Sequence, residues 1–181
     1  YTHKSRLYSL DKVTDRDSLL DWERRAEKFA DSDFECTVEM KYDGLSLIMT
    51  YDGGRLIRGA TRGDGVTGED VTEQLKTIKT VPLSIGYKGY VEVQGEGMMR
   101  LSVLKKYNET AADPLENARN AAAGAIRNLN TSVTAKRNLA VIAYNINYIE
   151  GREFKTQSDI LEFLKDNKLL TVAYFKNVTC A

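Results

Sequence analysis

Histidine is nearly missing from this chain: His3 is the only one in 181 residues. A single histidine so near the terminus argues against Ser-His and Cys-His nucleophilic mechanisms and multi-histidine metal centres. Cysteine is almost as scarce, and Cys36 and Cys180 are too few for a disulfide scaffold or a zinc site. Pro82 and Pro114 are the only prolines, neither in a Pro- or Ser-rich linker, and no internal repeat or low-complexity stretch interrupts the sequence. Charge of one sign is not in excess. The 26 Lys and Arg balance 26 Asp and Glu, which argues against a bulk nucleic-acid glue and leaves room for a local patch. No apolar run approaches the roughly 18 residues of a membrane span. No signal peptide is visible, although the chain begins at Tyr1 and not at Met.

Hydrophobic residues make up 42%, with ten Tyr. A chain of this length suits one domain and buries roughly 70% of its unfolded surface, so residues 1–181 read as one continuous domain. Leu19, Leu20, Trp22, Ala26 and Phe29 recur at helical spacing and predict a helix from about Asp17 to Ala30. An alternating strand is expected over Thr37–Tyr42. Leu45–Tyr51 and Arg55–Arg62 flank Asp52-Gly53-Gly54, a strong hairpin signal. The Gly63–Gly68 loop leads into a short helix near Glu69–Leu75. Tyr90–Met99 reads as a strand, Leu101–Ala111 and Asn117–Leu129 as helices, and Leu139–Tyr148 as a strand. Ser158–Asp166 reads as a helix capped by Ser158 or Thr156, and Leu170–Phe175 as a last strand. Interspersed helices and a hairpin give an α+β class.

Four clusters carry chemistry. In the strand expected around Glu39-Met40-Lys41-Tyr42-Asp43-Gly44, alternation puts Glu39, Lys41 and Asp43 on one face. A lysine flanked by two acids suits either a solvated strand face with local ion pairs or a nucleophilic amine. Bringing an ordinary lysine from about 10.4 to about 7 costs about 4.6 kcal/mol. Burial or a second cation supplies that, or a base or bound phosphate takes the proton as attack begins.

The second cluster is Arg58 to Asp70. Gly63, Gly65 and Gly68 allow close approach of backbone to a ligand and left-handed conformations, and Arg62 stands just before them, where its guanidinium can pair with a phosphate. A long hairpin loop has the same composition. Arg62-Gly63-Asp64 is also an adhesion tripeptide, and Asn108, Asn130 and Asn177 open glycosylation-like triplets; without a secretion signal both are read as coincidence.

In the third, Glu92, Gln94 and Glu96 alternate onto one face, and Gly95 suggests a bulge or a nearby ligand. An acid late in the strand suits a ribose hydroxyl or Mg²⁺, or simply a polar face. In the fourth, Ala121-Ala122-Ala123-Gly124-Ala125 makes a thin helix with Asn120, Gly124 and Arg127 on nearly one face. From Arg100 to Asn138 there are seven Lys and Arg against three Asp and Glu. That excess suits a phosphate-backbone patch or a solvated basic face.

In order, these pieces resemble the adenylation (nucleotidyltransferase) domain of bacterial NAD-dependent DNA ligases, over nearly the whole chain from Leu7-Tyr8-Ser9-Leu10-Asp11 to about Tyr148. Lys41-Tyr42-Asp43-Gly44, then Gly59-Ala60-Thr61-Arg62-Gly63-Asp64-Gly65, then Arg119-Asn120-Ala121-Ala122-Ala123-Gly124 carry the likeness. ATP-dependent ligases and mRNA capping enzymes share only the Lys-x-Asp-Gly element. The resemblance implies an ATP-grasp-like ligase core with antiparallel sheets flanked by helices.

It also implies that Lys41 attacks the α-phosphorus of NAD, releases nicotinamide mononucleotide and carries AMP, which passes to the 5′-phosphate of a nick in duplex DNA. Glu39 would bond the adenine, Ser9 and Leu10 line the nucleotide pocket, and Arg62 contact the ribose-phosphate side. Glu96 would take the ribose and Tyr144 stack on adenine. Arg119 and Arg127 would meet DNA or phosphate, with Asp43 and Gly44 supporting the lysine. NAD and Mg²⁺ are the implied cofactors, with no protein metal site. A cytoplasmic monomer without membrane contact is implied.

Gln94, Leu115 and Ala118 depart from the family's usual Arg, Phe and Pro. No Asp-Gly-Val-Val-type strand with its lysine follows Cys180. Nor are the nicotinamide-binding segment, OB-fold, zinc-finger, helix-hairpin-helix and BRCT parts found. The expectation is therefore an adenylation domain incomplete at its C-terminal end, with little activity alone. The alternative is a stand-alone remnant that binds adenine nucleotides or DNA without catalysis.

Overall fold

The computed structural model describes residues 1–30, 34–173 and 175–179. In chain order the elements are α1 (Arg16–Glu27), β1 (Glu35–Glu39), β2 (Leu45–Asp52), β3 (Arg55–Thr61), α2 (Thr72–Lys76), β4 (Val91–Met98), α3 (Leu101–Asn108), α4 (Ala118–Ile126), α5 (Thr131–Lys136), β5 (Ala140–Ile149), α6 (Gln157–Asp166) and β6 (Phe175–Thr179). They fall into two compact units: residues 1–7 with 41–172, and residues 8–40 with 173–181.

The larger unit is built on a four-stranded antiparallel sheet in the order β3-β2-β4-β5. Gly53 and Gly54 take positive φ in the β2–β3 turn, as the hairpin signal requires. One sheet face is apolar. Leu47, Met49 and Tyr51 of β2 and Val91 and Val93 of β4 are all but completely buried. Ile126 of α4 and Leu75 of α2 pack so tightly there that a Cβ at Gly97 would stand 2.7 Å from Ile126 Cδ1, and one at Gly59 would stand 2.3 Å from Leu75 Cδ1. The α4 helix starts at Asn117, whose side chain accepts from the amides of Arg119 and Asn120, and it buries Ala121, Ala122, Ala125 and Ile126. Asn120, Gly124 and Arg127 are left outward, and a Cβ at Gly124 would meet nothing within 4 Å.

The other sheet face is polar. Across it run Ser46 opposite Glu96 and Thr50 opposite Glu92. Strand β5 carries two bulges. Glu92 pairs with Tyr148 and Val93 with Ile146, which leaves Asn147 extra; Gln94 pairs with Asn145 and Gly95 with Ala143, which leaves Tyr144 extra. A bulge breaks alternation and re-aims a side chain. Here the extra residues reach onto the polar face, Tyr144 towards Ser46 and Asn147 towards Glu92. The bulge suggested by Gly95 exists, and its extra residue stands on the partner strand.

The smaller unit contains α1 and the two-stranded antiparallel sheet of β1 and β6. A capping box between Asp15 and Ser18 starts α1.

Several boundaries differ from expectation. β1 ends at Glu39, so Lys41 and Asp43 lie outside any strand and do not share a strand face with Glu39. The chain must leave extended pairing there to bring Gly44 against β4. The last strand is Phe175–Thr179, not Leu170–Phe175; Thr171 makes only an isolated parallel bridge to Ala143, and Tyr174 lies outside the described residues. Helix α5 is not anticipated, because its run Thr131–Lys136 is short and β-branched. Cys180 is also outside the described residues. Among those described, no helix is long and apolar enough to cross a membrane.

Candidate active site

Gly44 fixes where Lys41 goes. It is buried, and a Cβ there would stand 2.3 Å from the carbonyl oxygen of Gly97 and 3.1 Å from Glu96 Cγ. Only glycine lets the segment press onto β4 at that point. The contact lets the Gly44 amide donate to the Glu96 carboxylate, which also interacts with the charges of Lys41, Arg119 and Arg62. Glu96 is half-buried, and burial pushes its carboxyl above the ordinary value despite the amide and the three cations. Lys41 itself is exposed, near enough to Glu96 for their charges to interact.

Arg62 follows β3, and its amide donates to the Ser46 carbonyl at 2.9 Å. This places it beside Ser46 and Glu96 on the polar face. The loop after it turns through Gly63 and Gly65, both at positive φ, while the Asp64 carboxylate accepts from the amides of Val66 and Thr67 at 2.8 and 2.7 Å. Tyr144 spans the sheet so that its hydroxyl lies 3.3 Å from Ser46 Oγ. Its phenol is pushed up by burial and by the nearby Glu96 charge, so it stays neutral. Arg119, in the first turn of α4, reaches Asp43 at 3.3 Å. Arg127, at the end of α4, pairs with Glu69 at 2.9 Å.

Lys41, Asp43, Gly44, Arg62, Glu96, Tyr144 and Arg119 thus belong to one end of one sheet. Arg127 is on the outer side of α4. Ser9, Leu10 and Glu39 belong to the smaller unit, where Leu10 is exposed and Glu39 closes β1. Sequence reasoning missed Ser46, which only the β2–β4 register reveals. It put Glu92 on one face with Gln94 and Glu96 but did not foresee that this carboxylate is fully buried. A cavity of about 200 Å³ lined by Thr77, Ile78, Lys79, Thr134 and Leu139 holds none of these groups.

This end of the sheet thus gathers a lysine, two arginines, a half-buried acid and an aromatic ring, side chains whose chemistry suits an anionic ligand with a flat ring. The family model for the NAD-dependent DNA ligase adenylation domain matches residues 1–180. The chain belongs to that family. It is 50% identical over 179 residues to a DNA ligase of Alkaliphilus oremlandii, covering 97% of this chain and 27% of the relative. It is 47% identical over 179 residues to a DNA ligase of Alkaliphilus metalliredigens, with 98% and 27% covered. Against a DNA ligase of Clostridium perfringens strain 13 the identity is 44% over 190 residues, with 99% and 29% covered. The chain therefore spans less than a third of the length of these relatives.

Proposed function

We propose that this chain is the nucleotide-charging part of an NAD-dependent DNA ligase that seals nicks in duplex DNA. In this reading NAD is a substrate. The Lys41 amine, freed of its proton, attacks the α-phosphorus. A P–N bond forms, the bond to the bridging oxygen breaks, and nicotinamide mononucleotide leaves with that oxygen. Lys41 then holds AMP as a phosphoramidate, and the AMP passes to the 5′-phosphate of the nick, where the 3′-hydroxyl displaces it.

The arrangement that supports this is the convergence of Lys41, Arg62 and Arg119 on Glu96. The arginines meet the charge that builds on the phosphate, which is the largest demand of such a transfer. In this reading Glu96, which accepts from the Gly44 amide, also accepts from the ribose hydroxyls. Tyr144 offers a neutral ring for the adenine. In this reading Glu39 bonds the adenine and Ser9 and Leu10 contact the nucleotide, as the resemblance implies, and Arg119 and the outer face of α4 with Arg127 meet the DNA backbone.

Mg²⁺ belongs to the reading as a companion of the substrate's phosphates. Among the described residues no three potential ligands converge on a metal position. Mg²⁺ often takes only one or two carboxylates beside phosphate and water, and Asp43 and Glu96 are the acids at hand. It would supply neutralisation of phosphate charge.

The test uses NAD labelled in its adenylate phosphate, with the ligase polypeptide that carries this segment and with the isolated chain. Label on Lys41 of the ligase polypeptide, lost in Lys41→Ala, with little or none on the isolated chain, is the expected result. Label on another residue, or label that survives the substitution, overturns the reading.

A further inference from the structure

The polar sheet face holds a second acid that the adenylation reading does not use. Glu92 is fully buried, yet its carboxylate accepts from the Tyr1 hydroxyl at 2.6 Å, the Tyr90 hydroxyl at 3.1 Å and Asn147 Nδ2 at 2.7 Å. A buried carboxylate is expensive unless its lone pairs are bonded, and here one of the donors comes from residues 1–7. The Arg58 guanidinium lies over the Tyr1 ring, 4.5 Å from its centroid, and Lys4 Nζ lies over Tyr90 and Tyr148 at 5.0 and 5.6 Å. Ser5 Oγ donates to the Asn147 carbonyl at 2.9 Å. Glu92 is thus the anchor of a strap.

The strap runs along the glycine loop and closes on it with backbone bonds. The Tyr1 nitrogen donates to Gly68 O at 2.8 Å and the Gly68 amide returns to Tyr1 O at 2.9 Å. The His3 amide donates to Val66 O and the Leu7 amide to Gly65 O, both at 2.9 Å. His3 is buried, and its Nε2 lies 3.1 Å from the carbonyl oxygen of Arg62 itself. A carbonyl only accepts, so Nε2 carries the proton. The backbone of Arg62 is therefore held on one side by Ser46 and on the other by a histidine of the strap.

We propose that residues 1–7 position Arg62 for the phosphate of the nucleotide, with Tyr1, His3 and Glu92 as positioning residues that act through the glycine loop. This rests on the adenylation reading for the identity of the phosphate. An arginine at the base of a glycine-rich loop has many orientations, and a loop pinned along its length leaves fewer to lose on binding.

AMP is the probe, titrated calorimetrically into the chain and into Tyr1→Phe, Arg62→Ala and the double variant. Tyr1→Phe removes one hydroxyl and keeps the ring under Arg58. It is expected to weaken AMP about fivefold, and to speed exchange of the Gly68 amide about tenfold. In the Arg62→Ala background the same change is expected to leave AMP affinity unaltered, because the strap then has nothing to position. A strap that merely supports the fold would weaken AMP by the same factor in both backgrounds, and that result overturns the proposal. So does unaltered affinity in Tyr1→Phe. Failure of the unaltered chain to bind AMP at all would instead overturn the adenylation reading and remove the strap's role with it.

Discussion

The guanidinium of Arg119 lies 3.3 Å from the carboxylate of Asp43, and this ion pair links the first turn of α4 to the Lys41–Gly44 segment. Both side chains are more than half exposed. A pair of that kind contributes only about 0–1 kcal/mol, so a phosphate can draw Arg119 away from Asp43 at little cost. The pair holds the arginine near the lysine without committing it.

Arg119→Ala is therefore expected to change stability by less than about 0.5 kcal/mol. Loss of a charge-assisted bond to phosphate is expected to reduce AMP transfer to nicked DNA by about ten- to a hundredfold. Thermal melting together with a nick-sealing assay in the ligase carrying this segment checks both halves.

Gly44→Ala places a methyl group 2.3 Å from Gly97 O, a backbone atom that cannot swing aside. The strain is expected to cost about 1–3 kcal/mol, read as a lower melting temperature by about 3–9 °C. Because the segment must lift off β4, AMP affinity falls as well. Unchanged melting would mean that β4 gives way easily and that Gly44 does not set the position of Lys41.

Glu96 titrates above its ordinary value of 4.5 because burial outweighs its cations. A carboxyl raised in this way binds its proton more tightly in the folded state. Stability therefore falls as pH rises from the ordinary value through the raised one, and the loss is complete above it. Glu96→Gln is expected to melt about 1–3 °C higher than the unaltered chain at pH 7, a modest gain because the side chain is partly solvated. The gap closes towards pH 4, and AMP affinity drops at pH 7. Melting curves across that range are the measurement, and a gap that widens on acidification would contradict the sign.

Tyr144 separates ring from hydroxyl. The phenol touches Ser46, while the adenine would meet the ring. Tyr144→Phe is expected to bind AMP within about threefold of the unaltered chain, and Tyr144→Ala to lose about 1–3 kcal/mol, the usual worth of a base-aromatic stack. Equal losses in the two variants would assign the contribution to the hydroxyl instead.

Arg127 is tied to Glu69 across the outer surface. If it meets a DNA phosphate, Arg127→Ala lowers the slope of log affinity against log salt by about 1 for nicked duplex, with AMP affinity unaltered. A parallel set of salt titrations for the two proteins decides it.

The sequence by itself determined most of the elements, and it nominated Lys41, Arg62, Glu96, Tyr144 and Arg119 for the candidate site without Ser46. Periodicity placed β2, β3, β4, β5 and α6 to within a residue or two, because apolar alternation and a Thr156 cap are local properties. The ordered motifs marked Lys41, Arg62, Glu96 and Arg119 before any contact between them was known. Tertiary structure decided how they meet. Strict alternation ignores bulges, so the placement of Tyr144 and Asn147 on the polar face depends on how β5 registers against β4. The end of β1 at Glu39, the approach of Gly44 to Gly97 and the strap from Tyr1 to Glu92 all depend on residues far apart in the chain. Such contacts leave no period in the sequence, because they are set by which surfaces close against each other once the strands have paired.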